Sequence, residues 1–380
     1  QLEPACVVVC PTQAILVGDM NDSDSYVAQI INRDTVAVRR PEKETLPKLF
    51  YKGAHQATLD PLAAKRPEGG LFMWSEQQEG AGFVTSGNPN FNNSSAAALL
   101  SYDVAHSIPW DWRVSLYTWT KGIASGVYLI ACLLVLLGVL NVNSSIWLWT
   151  TPIVSGGFLA LTGGLLLWDL EHPERFFLIF TRPQWRSWLV KGAFIIAGYT
   201  LVLLLHFIAS WVGSTSFQSW LMIAGVPLSL LTAIYTAYLF AQAKARDMWQ
   251  NPLLPPHLVF QAALLGSAVL LPLAGAENIL LLWILAITSV IHLLMVWGEV
   301  SVTHPTAHAR LAIWEMVRGR YRNDFWMGTI LSFVGALLPL LAVLGVISTT
   351  IGIGGAPFAL IGLMLFENAY VQAAQSVPLA

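Results

Sequence analysis

Residues 168–191 read WDLEHPERFFLIFTRPQWRSWLVK, a charged segment wedged between two long apolar runs. Asp169, Glu171, His172 and Glu174 share it with the cations Arg175, Arg182, Arg186 and Lys191. Ionisable groups are costly in hydrocarbon and cheap at its rim. The stretch therefore reads as a connection at a membrane surface, with a spanning helix on either side. Outward from it, apolar runs of about 20 residues, the length a bilayer core requires, fall near residues 117–140, 147–168, 188–211, 219–242, 257–275, 278–298, 325–348 and 351–367. Their ends carry aromatic residues such as Trp110, Trp119, Trp147, Trp188, Trp211, Trp220 and Trp326, as an interfacial belt requires. The expected fold is an all-α membrane protein with eight transmembrane helices.

Composition agrees. Hydrophobic residues make up 55% of the chain and charged residues 11%, with mean hydropathy +0.60. A soluble domain carries roughly 25% charged residues. The first 70 residues nevertheless hold 8 of the 20 Lys and Arg, so two unlike parts are joined. Nothing in the charge balance, a net −2, calls for a nucleic-acid partner.

Connections after the first, third, fifth and seventh runs contain no Lys or Arg, whereas those after the second, fourth and sixth carry Arg175, Arg182, Arg186, Lys244, Arg246, Arg310, Arg318, Arg320 and Arg322. The positive-inside rule assigns the second set, and with it both termini, to the cytoplasm. The second and sixth runs end alike, in Trp168-Asp169 leading to His172-Pro173 and in Trp297-Gly298-Glu299 leading to His304-Pro305. This repetition suggests two four-helix bundles in parallel orientation, 113–255 and 256–380.

The polar N-terminal part contains Cys6-Val7-Val8-Val9-Cys10-Pro11. This matches the tail of the ferredoxin run C-x2-C-x2-C-x3-C-P, whose last Cys ligates the other cluster of a pair. Cys6 and Cys10 would then each give one ligand to a different [4Fe–4S] cluster, the remaining ligands lying upstream or in a partner chain. Ala14–Asp19 reads as a short strand and Ser25–Ile31 as an amphipathic helix. Residues 56–112, rich in Gly, Ser, Asn and Ala, read as a tether. The order CPTQAI (10–15), GDMND (18–22) and RRPEKETLPKLFYKG (39–53) resembles the end of the four-cluster iron–sulfur subunits of molybdopterin oxidoreductases, over residues 1–55. The resemblance implies a small ferredoxin-like α+β segment.

Residues 110–380 resemble the NrfD-like, or polysulfide-reductase, membrane anchors. The matching features are Tyr117-x3-Lys121-Gly122-x3-Gly126, Asp169 to Arg175, Tyr235 with Lys244–Trp249, Pro252–Pro255 and Gln375–Pro378. This second resemblance implies a haem-free, quinone-reacting subunit of a multi-subunit oxidoreductase in a prokaryotic inner membrane. Its substrate would be menaquinone or ubiquinone, and its partners an iron–sulfur domain and a molybdopterin-containing catalytic subunit.

A quinol must lose two protons and two electrons, so it needs proton acceptors beside an electron acceptor. Lys121, Asp169 and His172 are the expected catalytic groups, with Tyr117 as a positioning donor and Arg175 completing the quinone site. Each has a blander reading. Lys121 could reach back to the headgroups, Asp169 could pair with Arg175, and Tyr235 and Tyr238 could be packing. His304 and His308 read as surface histidines. A haem b anchor would need facing histidines at one depth, but His206 and His292 differ in depth by roughly 18 Å at the helical rise. A proton-translocating or transporter-like module without its own redox site would use Asp169, Glu299, His292 and His206 as stations.

Overall fold

The computed structural model describes residues 3–39, 41–55, 59, 110–170, 172–274 and 279–377. Nearly all of the expected tether, Glu171, the connection 275–278 and Pro378 lie outside the described residues. Eight helices are long and apolar enough to cross a bilayer: Trp112–Leu136, Ile146–Trp168, Trp188–Val212, Thr215–Ala241, Leu254–Ala274, Ile279–Ser301, Arg322–Val343 and Thr349–Gln375, here spans 1 to 8. Each satisfies its own backbone hydrogen bonds, which is what hydrocarbon demands of a crossing segment. The all-α class and the number of spans agree with the sequence pattern. Span 1 begins at Trp112, well before the apolar run that opens at 117, because the Asp111 carboxylate caps it, accepting from the Arg113 backbone N–H at 2.8 Å.

Sequence neighbours pack side by side, and contacts of span 1 with span 4 and of span 5 with span 8 complete two four-helix groups. Span 1 also packs on spans 5 and 8, so it lies in the middle of the molecule. In its most apolar 18-residue stretch 72% of the residues are buried, against 56% for span 5 and 33% for span 2. Where spans 1 and 5 cross, no side chain separates the backbones. A Cβ built on Gly126 would fall 1.8 Å from the Ala262 carbonyl oxygen, and one on Gly266 2.2 Å from the Gly126 carbonyl carbon. Lipid tails are as apolar as leucine, so helices in a bilayer associate by close packing rather than by escape from water, and small residues permit it.

In the N-terminal part, α1 (Ala5–Val9) and α2 (Tyr26–Arg33) precede an antiparallel pair, β1 (Val36–Val38) with β2 (Phe50–Lys52), in register Val36↔Lys52. Asp34 ties β2 to the end of α2 through Lys52 Nζ at 2.6 Å. The strand expected over Ala14–Asp19 is absent. Ile15, Leu16 and Val17 are exposed, and no described strand lies beside them to complete a ladder. This segment rests on the connection between spans 2 and 3. The Gln184 N–H donates to the Pro11 carbonyl at 3.0 Å, and Arg186 pairs with Glu3.

Between spans 6 and 7 lies a helix the hydropathy pattern did not suggest, Ala307–Val317, capped by Thr306 Oγ1 accepting from the Ala309 N–H at 3.2 Å. It carries His308 inward, where it is buried, so the surface reading of that histidine is corrected. His304 is half-buried, its Nε2 2.8 Å from the Glu299 carbonyl.

Substituting Gly126 or Gly266 by Val forces spans 1 and 5 apart, with an expected loss of about 3 kcal/mol or more. In detergent this should appear as a sharply lowered melting temperature or as failure to accumulate. Gly157→Ala, with no atom within 4 Å of the added Cβ, should melt like the parent protein.

Candidate functional site

At the end of the first group that faces the cysteine segment, spans 1 to 4 diverge around a cavity of about 350 Å³. Its wall is apolar, formed by residues such as Val114, Leu166, Phe176, Ile179, Phe180 and Ile196, with Tyr117, Asp169 and Tyr235 as the polar exceptions. That combination of an apolar wall with a few convergent polar groups suits an amphipathic small molecule. Phe176, Ile179 and Phe180 belong to the 169–187 connection, which therefore closes the cavity on one side and carries the N-terminal segment on Gln184 and Arg186.

Asp169 follows the last residue of span 2. Its cation is Arg113 rather than Arg175. Arg113 Nη2 lies 3.6 Å from Asp169 Oδ1, Nη1 donates to the Trp168 carbonyl at 2.7 Å, and Nε donates to Asp111 at 3.0 Å. Burial pushes the Asp169 carboxyl above the ordinary carboxylate range; the Arg113 guanidinium opposes that shift and the Asp111 carboxylate adds to it. Such a group takes up a proton more readily than a free aspartate.

Lys121 does not reach the headgroups and does not line the cavity. It stands one layer behind, 1% exposed, with Nζ donating to Thr236 Oγ1 at 2.6 Å and to the Ala233 carbonyl at 2.9 Å, and lying 5.0 Å from the centre of the Tyr235 ring. Tyr235 lines the cavity, so its ring stands between the buried ammonium and the cavity. His172 and Arg175 lie on the exposed connection, both against Glu174, at 3.0 Å and 3.9 Å. Neither lines the cavity.

The mouth is held by the far end of the chain. Gln375 accepts from the Trp110 N–H at 3.1 Å and donates to the Trp110 carbonyl, while Gln372 donates to the same carbonyl at 3.1 Å. The Trp110 ring, itself part of the cavity wall, stacks on Trp249 at 5.0 Å. Gln242, which follows span 4, accepts from the Trp188 N–H at 2.8 Å and so positions the start of span 3.

Sequence reasoning did not anticipate three further features. Tyr235 lines the cavity although it was weighed as packing. Thr118, one turn before Lys121, donates to Glu367 Oε2 of span 8 at 2.9 Å. His257 Nε2 and His292 Nδ1 lie 2.8 Å apart within the second group. Thr118 and Glu367 are 249 residues apart and the histidines 35, and no local signal pairs either.

Cys6 is exposed at the start of α1 and Cys10 is buried just after its end. Cys10 Sγ accepts from the Ala14 N–H at 3.2 Å. Among the described residues no three His, Cys, Asp or Glu side chains gather to hold a metal. The two thiols fit a role as single ligands to clusters completed by other residues.

The chain belongs to the NrfD polysulphide reductase family, which it matches over residues 101–377; members are membrane subunits of redox enzyme complexes. It is 27% identical over 193 residues to Protein NrfD of Escherichia coli, covering 43% of this chain and 59% of that protein. Its N-terminal region is similar to iron–sulfur subunits. A tetrathionate reductase subunit of Salmonella typhimurium is 35% identical over 77 residues, 20% of this chain and 30% of that protein. The arsenate respiratory reductase iron–sulfur subunit of a Shewanella species is 42% identical over 50 residues, 13% of this chain and 21% of that protein. The chain thus spans less than two thirds of the length of each of these relatives.

Thr236→Val keeps the shape of span 4 but takes an acceptor from a buried ammonium, which should destabilise the protein by about 1–3 kcal/mol. Adding Lys121→Met removes the ammonium that has lost that acceptor. The double variant should therefore melt above Thr236→Val alone, which a thermal-shift assay in detergent would read.

Proposed function

We propose that the cavity bounded by spans 1 to 4 binds the head of a membrane quinol or quinone and that this chain exchanges its electrons with iron–sulfur clusters ligated in part by Cys6 and Cys10. The observation that carries this reading is the docking of the cysteine segment on the cavity's own boundary. Cys10 precedes Pro11, whose carbonyl accepts from Gln184, on the connection that also supplies Phe176, Ile179 and Phe180 to the wall. A quinone ring has two oxygens and an apolar body. Tyr117 and Tyr235 can donate to those oxygens, Asp169 can accept a proton from a hydroxyl, and the aromatic and aliphatic wall excludes water.

Bound clusters would supply one-electron acceptors. The residues supply the rest. Asp169, raised by burial, is the base for the first proton. Lys121 acts through its contact with the Tyr235 ring and is a positioning residue. His172 and Arg175 stay outside this assignment because both are exposed on the connection. The basic connections on the same side as the cysteine segment support a cytoplasmic position for it. A molybdopterin-containing subunit is the partner proposed for the clusters, and the direction of electron flow is set by that partner's substrate.

The test is quinol-driven cluster reduction, followed by electron paramagnetic resonance in membranes holding the whole complex. Asp169→Asn should lower turnover roughly a hundredfold or more, and Ala193→Trp, which fills the cavity, should abolish binding of a quinol analogue. Retained turnover in both would sink the assignment. The pH dependence has a defined sign. Asp169 works deprotonated, so turnover should fall as pH drops through its raised pKa. Arg113→Gln removes the opposing charge and should move that acid limb to higher pH.

A further inference from the structure

We propose that Glu367, His257 and Glu299, with His292 orienting the His257 ring, form a proton relay that drains the quinol cavity sideways, through the second helical group, to a surface cleft between the connections of spans 4–5 and 6–7. The proposal rests on the quinol reading above and concerns where the protons go.

The path can be followed group by group. Lys121 donates to Thr236 and lies 5.0 Å from the centre of the Tyr235 ring on the cavity wall. Thr118 lies one turn before Lys121 on the same helical face, and its hydroxyl donates to Glu367 at 2.9 Å. Glu367 opens on a chamber of about 20 Å³ that it shares with His257 and Gln261, and Gln261 Oε1 has no protein partner there. His257 bonds His292 at 2.8 Å. A second chamber of about 10 Å³ joins His257 to Asn251 and Glu299, and Glu299 Oε1 likewise has no protein partner. One water occupies roughly 10–15 Å³ on this measure and needs polar partners. Each chamber therefore matches a single bridging water between two titratable groups. Beyond it, Asn251 and Glu299 line an open cleft of about 360 Å³ with Asp247 and His304.

Packing alone does not call for these residues. Glu367, His257 and His292 are 6%, 8% and 1% exposed in the membrane-spanning part, where leucine or phenylalanine would fill the space without a desolvation cost. Their common property is that each can gain and lose a proton. Oxidation of one quinol breaks two O–H bonds; two electrons pass one at a time to iron–sulfur clusters, the first proton goes to Asp169 at the rim, and the second passes along the relay by successive breaking and making of O–H and N–H bonds. Quinone reduction runs the same path backwards. Both ends of the relay lie on the side of the cysteine segment, so no charge crosses the membrane.

The test uses the whole complex in membranes, with quinol-driven cluster reduction as readout. Glu367→Gln and His292→Gln should lower turnover about tenfold or more, leave KM for quinol unchanged, and enlarge the solvent deuterium isotope effect. Glu367→Gln is isosteric and carries the test if the histidine variant fails to insert. Unchanged turnover and isotope effect in Glu367→Gln, with an active parent complex, would overturn the relay alone. A parent complex whose clusters are not reduced by quinol would overturn the quinol reading, and the relay with it.

Discussion

The backbone contact between Gly126 and Gly266 is the constraint on which the remaining geometry depends. It brings spans 1 and 5 together without intervening side chains, and it sets span 1 between the two helical groups. From there Lys121 can reach span 4 while Thr118, one turn away, reaches span 8. A bulkier residue at either glycine would separate the polar groups of one half from those of the other. The tight crossing thus serves both cohesion in lipid and continuity of the buried polar chain.

Apart from His206, the ionisable groups of the membrane part named above are gathered at the end facing the cysteine segment, and their roles differ by depth. At the rim, Arg113 joins Asp111, Asp169 and the end of span 2, while Gln375 and Gln372 hold Trp110 at the mouth. The Arg113 contacts are half-exposed and their value is geometric, since ion pairs at a wet surface contribute little energy, whereas Gln375 and Gln372 are buried. Deeper in, Lys121, Glu367 and the histidine pair are buried, and each has its own hydrogen-bond partner. The contrast explains why the cavity can be largely apolar and still be served by titratable groups on two sides.

The spans were legible because bilayer thickness imposes a length that composition reveals. Tyr117 and Asp169 were legible as cavity residues for a related reason: an ionisable or phenolic group at a span's end has few places to go. Lys121 was legible as unusual, but its position was not. Reading the helix from 117 puts it near the rim, whereas the Asp111 cap starts the helix at Trp112 and carries Lys121 inward. His172 and Arg175 share Asp169's charged stretch and differ only in the turn of the chain after span 2, which no periodicity encodes. The His257–His292 contact depends on how two helices rotate against each other. Ala307–Val317 escaped because its polar residues mask the helical pattern, and Ala14–Asp19 has the content of a strand without a neighbour to pair with.

The docking of the cysteine segment on Gln184 and Arg186 consists of few contacts, and between separate subunits so small a patch would hold only fleetingly. Here both surfaces belong to one polypeptide. Their meeting is intramolecular, governed by effective concentration rather than by the abundance of two gene products. The pairing is one to one by construction. Selection on such an interface can act on the path for electrons instead of on affinity, which leaves its residues freer to change than those of a two-subunit contact.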